Sequence, residues 1–156
     1  MSALPALNAA PSERPSRRIQ RILLATDLSS ASASATDQAL ELARDLGAEL
    51  LVVSVIDPST QLSIGPVHAR MDQRRAAREA AAQVLVVRGR RAGVSVSFLV
   101  WEGEPGPAIV EAAVAEQADL IVAGTRGRNR VERLVLGSVS DHVVRHAPCP
   151  ILIVRP

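Results

Sequence analysis

Lysine is missing from this chain: all 18 of its basic residues are arginine. That excludes chemistries that turn on a lysine ammonium, among them the Walker-type phosphate loop, Schiff-base catalysis and the phosphorylated receiver domain. Tyrosine is missing too, and one tryptophan and one phenylalanine are the only large aromatic rings. So few rings leave no platform on which bases could stack, which argues against a single-stranded nucleic acid as partner. A single cysteine cannot build an intramolecular disulfide framework. It suits a reducing compartment, and a cytoplasmic location is expected. No apolar run approaches the roughly 18 residues of a membrane span. A formal net charge of +2 gives no sign of a polyanionic partner.

What is present fits one folded unit. The chain has 156 residues, 47% of them hydrophobic, enough for a single core. Residues 1–18 read as a disordered tail, since Pro5, Pro11 and Pro15 interrupt any helix. Their arginines follow the weakly apolar part instead of preceding it, so a secretory signal is not expected. From residue 19 onward short apolar runs alternate with longer helical ones. Ile22 to Thr26, Leu50 to Ile56, Val94 to Trp101, Leu120 to Ala123 and Ile151 to Val154 read as strands. Between them, Ala35, Ala39, Leu42 and Leu46 recur at helical spacing behind the possible caps Ser29 and Ser30. A long helix is expected from about His68 to Arg91, with Ala77, Ala81, Val84 and Leu85 on one side. Two further helices carry Ile109, Ala112 and Ala113, and Ser138 to His146. Strand and helix thus alternate four times before a last strand, the pattern of a parallel sheet covered on both faces. Ligands in such sheets sit beyond the carboxyl ends of the strands, where the strand order reverses.

The richest loop in that position follows the fourth strand. Gly124, Gly127 and Gly137-Ser138 form the skeleton G-x2-G-x9-G-S. Glycines let the backbone approach an anion closely, and Gly137-Ser138 stands where a helix opens, with free amides and a favourable dipole. Ser138 could cap that helix or donate to a phosphate oxygen. Arg126, Arg128, Arg130 and Arg133 crowd the same loop. The plainer alternative makes the glycines turn residues and the arginines a solvated surface; the place of the loop, after a strand and before a helix, favours phosphate.

Here the chain resembles the universal stress protein family, in its ATP-binding form. The loop follows Asp119-Leu120-Ile121-Val122-Ala123, and Ala147-Pro148-Cys149-Pro150-Ile151-Leu152-Ile153-Val154 looks like the family's usual ending. Ile22 to Asp27 resembles its first strand with the terminal aspartate. Ser54-Val55-Ile56-Asp57 resembles the end of the second strand, and Gly103-Glu104-Pro105 its G-x-P turn. The likeness covers about residues 19–155. It implies a five-stranded, doubly wound α/β sheet of order 3-2-1-4-5, of the adenine nucleotide alpha hydrolase-like kind, with a first and a fourth strand side by side. It further implies that Asp27 contacts the ribose and adenosine side of ATP, that Val55 lines the adenine pocket, and that Gly124, Gly127, Gly137, Ser138 and Val139 hold the ribose and phosphates. Ala25, Thr26, Ala123, Arg126 and Arg128 flank these positions and complete the expected site. Ala25 stands where many ATP-binding members carry proline. The resemblance also implies a homodimer joined through the last strand, whose edge would otherwise be left unpaired.

Other candidates read more plainly. Asp57 looks structural, at a strand end before Pro58. His142 and His146 lie four apart on a helix, yet no third ligand accompanies them, and no dedicated metal site is expected; magnesium would arrive with ATP. Arg70, Arg74 and Arg78 read as a solvated helix face. Cys149 reads as a small packing residue, and no catalytic triad can be assembled. The expected function is therefore a nucleotide-dependent switch in a stress response, acting on an unknown protein partner. The alternatives are a slow ATP hydrolase and a dimeric, chaperone-like module that uses no nucleotide.

Overall fold

A computed structural model describes residues 17–60, 66–125 and 137–156. The strands are β1 (Arg21–Ala25), β2 (Glu49–Ile56), β3 (Val96–Glu102), β4 (Leu120–Gly124) and β5 (Ile151–Val154). The helices are α1 (Ala33–Leu46), α2 (Val67–Arg91), α3 (Pro105–Ala115) and α4 (Ser138–His146). Single 3-10 turns at Ser30–Ser32 and Pro58–Thr60 follow the first two strands. The five strands form one parallel sheet in the order β3-β2-β1-β4-β5, as the resemblance implied.

The reason is visible in β1. Ile22, Leu23 and Leu24 are each 0% exposed, so both faces of the central strand are covered. Ile22 and Leu24 join Leu50, Val52, Leu120 and Val122 under Ala35, Ala39, Leu40 and Ala43 of α1 and Leu85 of α2. Leu23 and Ala25 join Leu51, Val53, Ile121 and Ala123 under Ile109, Ala112 and Ala113 of α3 and Val143 of α4. The period of two thus sends alternate residues of one apolar run into two separate cores. Small residues set the helix approach. A Cβ at Gly89 would collide with the Val96 side chain, which presses α2 onto β3. A Cβ at Gly106 would stand 2.9 Å from the His142 side chain, where α3 meets α4.

Three expectations change. The third strand begins at Val96, because the amide of Val94 is spent on the carbonyl of Gly89, closing the turn after α2. The cap of α4 is Gly137, which places Ser138 inside the first turn. On α2 the buried line is Met71, Arg78, Ala82, Leu85 and Gly89, while Val84 is 66% exposed and Ala77 lies in solvent. Arg78 is therefore not part of a solvated stripe: it is buried at 7% exposure and donates to the hydroxyl of Ser54 on β2. Its neighbour Arg75 reaches the edge strand, donating to the carbonyl of Val100 and pairing with Glu102, each at 2.9 Å.

Candidate functional site

β1 and β4 lie side by side in register, Ala25 against Ala123, so the segments that leave them emerge together at the carboxyl edge of the sheet. The order 3-2-1-4-5 reverses between these two strands, which makes this edge the place where an open α/β sheet holds a ligand.

On the β1 side the chain continues through Thr26, whose amide donates to the carbonyl of Val53 at 3.1 Å. Thr26 is buried, and its hydroxyl accepts from the amide of Leu28 at 3.0 Å and donates to Ser32 Oγ at 2.9 Å. This tight turn puts Leu28 at a φ of 61°, a left-handed conformation that a branched side chain seldom adopts. Asp27 sits inside the turn. Its Oδ1 accepts from the Ser29 amide at 2.9 Å, the Ser29 hydroxyl at 2.6 Å and the Ser32 hydroxyl at 3.2 Å. Its Oδ2 is buried and has no donor among the described residues. Burial opposes ionisation of this carboxyl, but the donors from Ser29, then Ser32, and the positive charge of Arg78 outweigh it and hold the acid below its usual range.

On the β4 side, Gly124 pairs with Val154, and its carbonyl accepts from the Ser140 hydroxyl at 3.1 Å. Thr125 continues along β5 through a 3.2 Å bond from its amide to the carbonyl of Val154. Gly137 lies against this backbone: a Cβ there would come within 3.9 Å of the Thr125 carbonyl. The first bond within α4 runs from the Asp141 amide to the Gly137 carbonyl at 2.9 Å, so Ser138, Val139 and Ser140 hold the first-turn positions whose amides have no partner inside the helix. The Asp141 carboxylate is drawn to Arg145 at 3.1 Å instead of lying over those amides.

The structure thus brings Ala25, Thr26, Asp27, Ala123, Gly124, Gly137, Ser138 and Val139 to one edge of the sheet. Val55 is half-buried on β2 and packs with the core on the α3 side. Arg126, Gly127 and Arg128 lie outside the described residues. Sequence reading missed Ser32 and Arg78 as neighbours of Asp27. Ser29 was visible as a possible helix cap, but it makes no side-chain cap and instead binds the aspartate. The spacing D-x-S-x-x-S from Asp27 to Ser32 is the signal that could have found the turn.

Elsewhere the ionisable groups are committed to structure. Asp57 accepts from the amide and hydroxyl of Ser59 at 2.8 and 2.6 Å, which holds it below its usual range. His142 and His146 stack with centroids 4.2 Å apart, and among the described residues no group of three metal-binding side chains occurs. Burial pushes the Cys149 thiol up. A hollow of about 690 Å³ at the amino ends of the strands is lined by Arg17, Arg21, Glu49, Glu116 and Asp119, among others. These groups answer one another, Arg17 with Asp119 at 3.1 Å and Arg21 with Glu49 at 2.9 Å.

The sequence pattern of the universal stress protein family matches residues 18–155. A universal stress protein of Thermus aquaticus is 42% identical over 135 residues, covering 86% of this chain and 97% of the relative. The solved universal stress protein UspA of Lactobacillus plantarum superposes with a TM-score of 0.79 at 27% identity, covering 88% of this chain and 99% of that one. A universal stress protein crystallised in complex with cAMP superposes with a TM-score of 0.66, also at 27% identity, covering 88% and 98%. The chain belongs to the universal stress protein family.

Proposed function

We propose that this chain binds an adenine nucleotide, ATP with its magnesium, at the carboxyl edge between β1 and β4. The observation that carries this reading is Asp27 Oδ2, a buried acceptor with no donor among the described residues. An ionised, buried acceptor is costly until a donor reaches it. A ribose hydroxyl or an adenine amino group is such a donor. Opposite it, the first-turn amides of Ser138 and Val139 suit phosphate oxygens, and Gly124 and Gly137 keep side chains out of the path. Gly127, Arg126 and Arg128 extend the same proposal along the loop, and Val55 supplies an apolar wall for the base. The relative bound to cAMP supports an adenine nucleotide as the ligand class.

Nucleotide acts here as a switch signal. It orders the surface around Gly137 and Ser138, and a protein partner reads that surface. A switch signal is bound and not consumed, so turnover is expected to stay below about 1 s⁻¹, under ordinary enzyme rates. β5 is an edge strand whose four residues are all half-buried, and it joins two copies into a homodimer. No helix among the described residues is long and apolar enough to cross a membrane, and a cytoplasmic location goes with this reading. The test is equilibrium titration with a fluorescent ATP analogue. Wild type gives a saturable signal that unlabelled ATP displaces, and Asp27→Ala weakens it by about 1–3 kcal/mol, the usual worth of a charged hydrogen bond. No saturable signal from wild type refutes the nucleotide reading and leaves the nucleotide-free module.

A further inference from the structure

Arg78 is a cation in an apolar helix face. At 7% exposure it sits on the buried line of α2 between Met71 and Ala82, and it donates to Ser54 on β2. Ser54 is one of its partners, and opposite charge in the same low-dielectric space stabilises a buried guanidinium further. The hollow beside it, about 120 Å³, is lined by Asp27, Leu28, Arg74, Ala77, Arg78 and Ala81. The aspartate at the end of β1 and the arginine in the middle of α2 therefore share one small, partly closed space, where charges are screened less than in water.

We propose that Arg78 is a positioning residue of the nucleotide site: its buried guanidinium shares one hollow with Asp27 and, added to the Ser29 and Ser32 donors, holds that carboxylate as a donor-seeking acceptor. This deepens the nucleotide reading and rests on it for the ligand. The consequence is selectivity by hydrogen-bond sense. A carboxylate in this state accepts from a hydroxyl or an amine and repels a group that offers only lone pairs.

The groups around Asp27 divide the work. Ser29 and Ser32, from its own turn, occupy Oδ1. From α2 come Arg78 and Arg74, of which Arg74 also acts on Asp57. At the end of β4, the strand beside β1, the described residues Gly124 and Thr125 carry no charge. Burial works against ionisation, Ser29 and Ser32 favour it, and the charge of Arg78 adds to them.

The test needs a readout that does not depend on nucleotide. The carboxyl carbon of Asp27 is titrated by NMR in the full chain for wild type, Arg78→Gln and Arg78→Lys, with the amide spectrum reporting the fold. Glutamine keeps a donor for Ser54 and removes the charge; Arg78→Met serves if the glutamine variant does not fold. The Asp27 midpoint rises in Arg78→Gln and returns toward wild type in Arg78→Lys, while that of Asp57 stays put. The same glutamine variant binds the fluorescent ATP analogue about tenfold more weakly, the equivalent of 1.4 kcal/mol, and lysine recovers most of it. An unmoved Asp27 midpoint in a folded, charge-free variant overturns the role of Arg78. Failure of wild type to bind the analogue, with the midpoint shift intact, refutes the nucleotide reading and leaves the Arg78–Asp27 coupling standing.

Discussion

Ser29 holds a single oxygen of Asp27 from two directions, its amide at 2.9 Å and its hydroxyl at 2.6 Å, while the other oxygen of that carboxylate is buried without a described partner. One oxygen is committed to the fold, and on the proposed reading the other takes a donor from the nucleotide. The division follows from a turn in which Thr26, Ser29 and Ser32 satisfy each other and Leu28 takes a left-handed φ of 61°.

Replacing Ser29 by alanine removes the hydroxyl donor and keeps the amide. The remaining donors leave Asp27 less firmly ionised and free to turn. The variant is expected to lose about 1 kcal/mol of stability, the net worth of one hydrogen bond, and to bind the ATP analogue more weakly. Urea unfolding and analogue titration check the two effects. Unchanged affinity in a destabilised protein would confine Ser29 to the fold.

Acid sensitivity follows from Asp27, Asp57 and Asp119, all held below the usual carboxylate range. Burial opposes the shift at Asp27 and the Ser29 bonds cause it. At Asp57 the cause is the Ser59 donors, and at Asp119 the amides of Gln20 and Arg21. A carboxyl with a depressed folded pKa binds fewer protons folded than unfolded, so its contribution is fully present above the unfolded value, near 3.9. It is lost as pH falls below that value and through the lower folded one. Urea midpoints should therefore be flat in this respect from pH 7 to 5 and drop steeply below pH 4. Asp27→Asn should make the drop shallower; an equal drop in that variant would remove Asp27 from the acid response.

Gly106→Ala probes the seam between α3 and α4. The added Cβ would stand 2.9 Å from the Cβ and Cγ of His142, so one helix must shift. A loss of about 1–3 kcal/mol is expected, as for overpacking in a filled core. His142→Ala in the same background should restore part of it. Wild-type stability in the single variant would contradict the packing described.

How much could be read before the fold was seen depends on what each residue's neighbours reveal. Ile22 to Ala25 and Leu120 to Ala123 are short continuous apolar runs bounded by polar and turn residues, as a strand buried on both faces requires, so the sheet was legible. The G-x2-G-x9-G-S spacing marked the edge where β4 ends at Gly124 and Gly137 lies near the Thr125 carbonyl. Arg78 was not legible. Arginines at 70, 74 and 78 have the spacing of a solvated stripe, and periodicity alone does not say which stripe faces the sheet. Ser54 explains the choice, since a hydroxyl at a core position of β2 accepts a donor that a valine could not. Val84 misled in the opposite sense: apolar, at helical spacing, and 66% exposed. Ser138 lost its capping role because Gly137, lying against the Thr125 carbonyl, already opens the helix.

The most direct measurement is a crystal structure of the full chain grown with magnesium and a non-hydrolysable ATP analogue. A ribose hydroxyl or adenine amine within hydrogen-bonding distance of Asp27 Oδ2, and phosphate oxygens on the amides of Ser138 and Val139, are the predicted result. Nucleotide density elsewhere on the molecule, or an Asp27 Oδ2 satisfied by the protein's own donors with the analogue in excess, would contradict it.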